Sequence, residues 1–189
     1  MLLTGKTWRL SAPQKVEDAD ALLGVLLKNR GIAEGQDEEQ FLSEEDGIWH
    51  DPFLYNDMRK AVDIINETID RHGKVLVYGD YDCDGVTAAA ILYSYLSEIG
   101  GDVISYIPER AEGYGLNNGA IDRIADMGVQ LIVTVDNGIT AINEAEHIYE
   151  RGMRLLVTDH HQQGESLPRA EAIVDPHRHD DFSPFKYGC

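Results

Sequence analysis

From about residue 74 the apolar positions fall into short β-branched runs, separated by stretches in which hydrophobic residues recur with helical spacing. KVLVYGD (74–80), DVISYIP (102–108), LIVTVDN (131–137), RLLVTDHH (154–161) and EAIVDP (171–176) read as strands. Between the first two, Val86, Ala89, Ala90, Tyr93 and Leu96 recur on one helical face, and Gly100-Gly101 ends that helix. A second helix is predicted from about Asn117 to Met127. Thr140 is expected to cap a third, in which Ile142, Ala145 and Tyr149 share a face and which Gly152 closes. Strands alternating with helices in this way predict an α/β fold: a doubly wound, mostly parallel sheet of about five strands.

Before residue 74 the pattern changes to helix and loop. Leu22, Leu23, Leu26 and Leu27 lie on one candidate helix, and Met58, Ala61, Val62, Ile65 and Ile69 on another. Residues 1–72 are therefore read as a helical segment packing on a domain formed by residues 73–189. The acidic stretch EGQDEEQFLSEED (34–46) reads as a solvated face and loop.

Composition narrows the setting. The N-terminus MLLTGKTWRL lacks the apolar stretch of a signal peptide, and no apolar run approaches a bilayer-spanning length, so the expected address is the cytoplasm with no membrane partner. Cys83 and Cys189 are too few for a disulfide framework and belong to no CxxC pair, so both are expected to be reduced. The formal charge of −18 favours solubility and repels polyanions in general, which any nucleic-acid function must overcome.

The chemistry concentrates at strand ends. Asp80, Asp82 and Asp84 follow the first strand, Asp136 the third, and Asp159, His160 and His161 the fourth. In an open parallel sheet, ligands bind beyond the carboxyl ends of the strands, so these side chains are expected to converge. Capping of the next helix accounts for one strand-end aspartate taken alone, but poorly for the whole set. Like charges so close together need a cation or a proton. Oxygen donors with one or two imidazoles suit manganese or magnesium, and so many carboxylates invite two ions about 4 Å apart, an arrangement that hydrolyses phosphoesters. Cys83 lies between two of the aspartates; if that stretch stays extended its side chain alternates away from them, as a packing residue.

DYDCDG, VTVDNG and TDHH, in this order, resemble the first three motifs of the DHH phosphoesterase superfamily. The connecting segments DPFLYNDMRKAV, YIPERAEGYGLN and LPRAEAIVDPH are similar to those of its RecJ-like exonuclease branch, so that the likeness runs from about His50 to Cys189. The resemblance implies a metal-dependent phosphodiester hydrolase, the catalytic N-terminal part of a 5′-to-3′ single-stranded-DNA exonuclease of DNA repair and recombination. It implies that Asp82 and Asp84 bind metal with Asp80 preceding them, that Asp136 bridges two manganese or magnesium ions, and that His160 is a further ligand. His161 is implied to contact the scissile phosphate, and Asp159 to orient its neighbours.

Arg110 is a candidate cation facing the phosphate, with a salt bridge to Glu109 or Glu112 as the alternative. Tyr114 is a candidate base-stacking residue, with a loop anchor as the alternative. His177 and His179 are read as a solvated loop. Two departures from the family stand out. Tyr78 occupies a position where many relatives carry a metal-binding histidine, and the segment ends before a fourth motif that supplies another metal-binding aspartate. Residues 1–189 are thus expected to be the front of a longer enzyme, weak or inactive by themselves, with further domains supplying a basic groove. A phosphoesterase acting on short oligonucleotides, cyclic dinucleotides or adenosine bisphosphate uses the same motifs and is the rival enzyme. A catalytically inactive binding fragment is the rival from another class.

Overall fold

The computed structural model describes residues 16–43 and 50–183. The chain divides into two compact units, Met1–Trp49 and His50–Cys189.

The first unit contains helices α1 (Ala19–Asn29) and α2 (Gln36–Leu42). Asp18 caps α1, accepting a hydrogen bond of 2.8 Å from the Ala21 amide, and Gly31 follows it at φ 77°. Of the four leucines on α1, only Leu27 is buried. Of the acidic stretch 34–46, residues 44–46 lie outside the described part.

The second unit is the expected doubly wound sheet. Its elements are α3 (Met58–Asp70), β1 (Lys74–Tyr78), α4 (Cys83–Glu98), β2 (Val103–Tyr106), α5 (Asn118–Asp126), β3 (Val129–Val135), α6 (Ile142–Glu150), β4 (Arg154–Thr158) and β5 (Ala172–Val174). The five strands run in the order β2-β1-β3-β4-β5, and every pairing is parallel. Alternate strand residues face opposite helix layers. Leu76, Tyr78, Ile132, Leu155 and Val157 pack with Ile121 and Ile124 of α5 and Ile148 of α6. Val75, Val77, Leu131, Val133 and Leu156 pack with Ala61 and Ile64 of α3 and Ala89 and Leu96 of α4. Burial on both faces explains why the strands are near-continuous apolar runs. Helix α3, counted with the N-terminal segment on sequence, belongs to this second unit and its sheet core.

Two local expectations fail. Cys83 is exposed, because the chain turns helical at Cys83 itself; the extended alternation that would have buried it ends one residue earlier. Thr140 does not cap α6, whose preceding residue is Ala141 with no side-chain cap, while the Thr140 carbonyl accepts from the Ile142 amide at 3.0 Å. Asn117 does cap α5, accepting from the Ala120 amide at 2.8 Å.

Beyond β5 the chain is clamped to the segment before α3. Arg178, whose side chain is 9% exposed, places Nη1 2.8 Å from Asp57 Oδ2 and 2.5 Å from the Ile173 carbonyl. Its Nη2 lies 2.8 Å from Asp180 Oδ2. The same Asp57 oxygen accepts from the Ile173 amide at 3.2 Å. Removing the guanidinium strands a carboxylate and a carbonyl near the end of β5. Arg178→Ala is expected to cost about 2 kcal/mol, between the values for exposed and fully buried pairs, as a lower urea midpoint with unchanged slope.

Candidate metal centre

Strand order reverses between β1 and β3, which opens a crevice at their carboxyl ends, and the strand-end acids meet there. Ligand atoms of Asp82, Asp84 and Asp136 lie within 4.8 Å of one another, and so do those of Asp136, His160 and His161. Asp136 is common to both groups.

Backbone geometry aims these side chains. β3 is followed by a left-handed residue, Asp136 at φ 62°, a conformation that aspartate tolerates better than most residues. The Asp136 amide is held by the Thr158 carbonyl at 3.1 Å. Asn137, almost fully buried, donates from Nδ2 to the Val135 carbonyl at 2.9 Å and the Tyr78 carbonyl at 3.3 Å, tying the ends of β1 and β3. Helix α4 begins directly beside the site because Asp82 caps it, accepting from the Gly85 amide at 3.0 Å. Gly85 is sterically required: a Cβ there would sit 2.7 Å from the Asp80 amide nitrogen and 2.8 Å from its carbonyl oxygen.

Burial and charge then set the electrostatics. Burial, reinforced by the charges of Asp84 and Asp82, pushes the Asp136 carboxyl up to about 6, with His160 opposing. The Gly85 amide holds Asp82 below the usual carboxylate range. His160 Nε2 stands 2.9 Å from Asp136 Oδ1 and 3.7 Å from Asp84 Oδ2, yet neither Asp136 oxygen has an aligned hydrogen-bond donor. Carboxylate oxygens and an imidazole nitrogen that converge in this way are the donor set of a divalent cation, so the residues present fit a metal.

Asp159 plays a different part. Its Oδ2 accepts from the Ile139 amide at 2.9 Å, and its Oδ1 from the His160 amide at 2.7 Å and the His161 amide at 3.2 Å. Asp159 Oδ1 also lies 2.7 Å from His161 Nδ1. Desolvation by itself would lower the pKa of His161, but the bond and charge of Asp159, with Asp136 and Asp175 behind it, raise it instead.

Asp80 is placed apart from both ligand groups. It is fully buried next to the first turn of α4, and its oxygens have no aligned hydrogen bond. Burial raises its pKa; the Tyr81 and Gly115 amides oppose that rise, and Asp82 adds to it. Tyr78 is a fully buried core residue whose hydroxyl donates to the Gly115 carbonyl at 3.1 Å.

The loop 107–117 borders the site. Glu112 pairs with Arg123 at 2.7 Å and accepts from the Tyr106 hydroxyl, so it is not the partner of Arg110. The Arg110 guanidinium instead lies 4.8 Å from the centroid of the Tyr81 ring. Tyr114 is half exposed, and its hydroxyl donates to the Asp136 carbonyl at 3.0 Å. On the other flank a cleft of about 510 Å³ opens between Tyr55, Ile91 and Pro176, with Asp84, Asp136 and His160 in its wall. Among the described residues, His177 and His179 join no ligand group, and the His179 amide donates to Gln163 at 3.0 Å.

Sequence reasoning passed over Asp175, Asn137 and Tyr81. Asp175 is fully buried at the end of β5; its Oδ1 accepts from the His177 amide at 2.6 Å and its Oδ2 has no donor. Burial pushes it up to about 6, opposed by the His177 amide and supported by the charge of Asp159. The signal was present, since Asp175 closes a predicted strand just as Asp136 does.

Comparison with known proteins gives the same family as the motifs. Residues 74–184 match the DHH family, N-terminal domain. The chain is 37% identical to the single-stranded-DNA-specific exonuclease RecJ of Bacillus subtilis (strain 168), over 98% of this chain and 25% of that protein. It is 37% identical to the enzyme of the same name from Escherichia coli (strain K12), over 87% of this chain and 28% of that protein. The chain thus spans about a quarter of the length of these curated relatives. Among solved structures it is similar to an exonuclease RecJ bound to manganese, with TM-score 0.66 and 33% identity over 73% of this chain and 36% of that one. It is also similar to RecJ in complex with Mn2+ from Thermus thermophilus, with TM-score 0.58 and 31% identity over 69% of this chain and 19% of that one. No helix among the described residues is long and apolar enough to cross a membrane.

Proposed function

This chain belongs to the DHH family, whose N-terminal domain it carries, and we propose that its site hydrolyses phosphodiester bonds of single-stranded DNA with manganese or magnesium, as part of a RecJ-like exonuclease. The observation that carries this reading is Asp136, a buried carboxylate common to two ligand groups at the sheet's switch point. Its relatives named for single-stranded DNA, and its structural neighbours that bind manganese, support the substrate and the metal.

In this reading Asp82, Asp84, Asp136 and His160 would hold the metal, Asp136 being the carboxylate common to both ligand groups. When bound, the metal supplies Lewis-acid stabilisation of phosphate oxygens and a water more acidic than bulk water. Asp136 is aimed by its left-handed backbone, and Asn137 keeps the two strand ends at fixed separation. His161, fixed by Asp159 at its Nδ1 edge, faces the phosphate as a hydrogen-bond donor and raises the electrophilicity of phosphorus. Arg110, laid over Tyr81, and Tyr114 lie on the substrate side of the loop 107–117. Asp80 lies buried next to the first turn of α4, outside both ligand groups.

The test is degradation of a 5′-labelled single-stranded oligonucleotide in manganese, beside duplex DNA, a cyclic dinucleotide and adenosine bisphosphate. Slow turnover of the single strand that disappears in His161→Ala is the expected result. Turnover of only the small substrates would favour the rival phosphoesterase, and manganese binding without any turnover would favour a binding module.

A further inference from the structure

We infer that the hydroxyl of Tyr114 is a positioning group, which braces the imidazole of His161 against the Asp136 turn. The hydroxyl donates to the Asp136 carbonyl at 3.0 Å and lies 3.1 Å from His161 Nε2 and 3.4 Å from Nδ1. The Tyr114 and His161 rings meet edge to face, with centroids 5.7 Å apart at 76°. Behind Tyr114, the Tyr81 ring packs edge-on at 6.4 Å and 89°. The loop delivers Tyr114 there because Gly113 at φ 94° and Gly115 at φ 76° supply positive φ on both sides of it.

Asp159 grips His161 at Nδ1, and the His160 ring meets it edge to face with centroids 4.8 Å apart, but neither contact ties the imidazole to the Asp136 turn. The Tyr114 hydroxyl is that tie: its hydrogen goes to the Asp136 carbonyl, and its oxygen lies close to both ring nitrogens. By also binding the Asp136 carbonyl it fixes the imidazole, carried after β4, relative to the shared carboxylate, carried after β3. The brace thus spans two strand ends and is made by a third segment. A ring serving only to stack on a base needs no hydroxyl, and a half-exposed ring contributes little to the core. The polar contacts are therefore the part of Tyr114 that packing and stacking leave unexplained.

The catalytic part of this inference rests on the proposed phosphodiester hydrolysis; the positional part does not. Tyr114→Phe and Tyr114→Leu separate hydroxyl from ring. For a positioning hydroxyl, Tyr114→Phe lowers kcat on single-stranded DNA by about 10- to 100-fold with KM nearly unchanged, and Tyr114→Leu does little further damage. In the metal-free protein, NMR should show the His161 ring signals shifted and broadened in Tyr114→Phe while the melting temperature holds. Wild-type kcat in Tyr114→Phe combined with a raised KM in Tyr114→Leu would overturn the inference in favour of base stacking. If the wild-type protein turns over no DNA, the functional reading fails separately, and unchanged His161 ring signals in Tyr114→Phe would still overturn the brace.

Discussion

Asp136→Ala is expected to weaken manganese binding by about 100-fold or more and to abolish the rise in melting temperature that manganese produces in the wild-type protein. Losing a residue that merely supports a metal ligand costs about 10- to 100-fold, so losing a ligand shared by two groups should reach or exceed the upper end. The remaining acids cannot substitute, since Asp82 already spends Oδ1 on the Gly85 amide and Asp80 lies outside both groups. A ligand that binds only the folded state stabilises it by mass action, so affinity and stabilisation should disappear together. Asp136→Asn, which keeps the side-chain volume, adds a second and opposite expectation. Without metal it should melt above the wild type at pH 7.5, because it removes a charge that burial and the neighbouring Asp84 and Asp82 make unfavourable. Calorimetric titration and thermal melts in chelator check both. Unchanged manganese affinity in Asp136→Ala would remove Asp136 from the metal site.

Without metal, the protein should lose stability as pH rises from about 4 to about 7. Asp136 and Asp175 titrate at about 6 in the folded chain, above the ordinary carboxylate value of 3.8 that the unfolded chain keeps. Below pH 4 both states hold these protons, so the two groups make no difference. Between 4 and 6 the unfolded chain releases them while the folded chain retains them, and stability falls with rising pH by about 3 kcal/mol for each group. His161, raised in the folded state, acts in the same direction at higher pH, since its contribution is present below the ordinary histidine value and lost above it. Asp82, Glu112 and Asp180 are lowered in the folded state; their stabilisation is present above the ordinary carboxylate value and lost as pH falls, which puts their window at the acid end. Manganese should reverse the trend, because metal competes with protons for the same oxygens and wins as pH rises. Melting temperatures at pH 5 and 7.5, in chelator and in manganese, give the comparison. A metal-free protein that melts at the same temperature or higher at pH 7.5 would mean that Asp136 and Asp175 ionise without penalty.

The elements and their order were legible because they follow from short-range chemistry. β-branched runs such as Leu131–Val135 and the helical spacing of Val86, Ala89, Tyr93 and Leu96 depend on neighbours a few residues away. Parallel strands place their carboxyl ends on one edge, so Asp82, Asp84, Asp136 and His160 could be grouped from the chain alone. What only the tertiary structure decided is where side chains turn once distant segments meet. Cys83 is exposed because α4 starts one residue earlier than an extended reading assumes, and Asp80 lies against that helix because Gly85 lets it approach. Glu112 binds Arg123 in place of Arg110 because α5 packs beside the loop. Tyr114 reaches His161, 47 positions away, and Arg178 reaches Asp57, 121 positions away. Neither pairing leaves a periodicity in the chain, because each depends on sheet order and loop path. Asp175 carried the same strand-end signal as Asp136, but its burial without a donor for Oδ2 depends on β5 docking against β4, a contact between strands that local sequence does not encode.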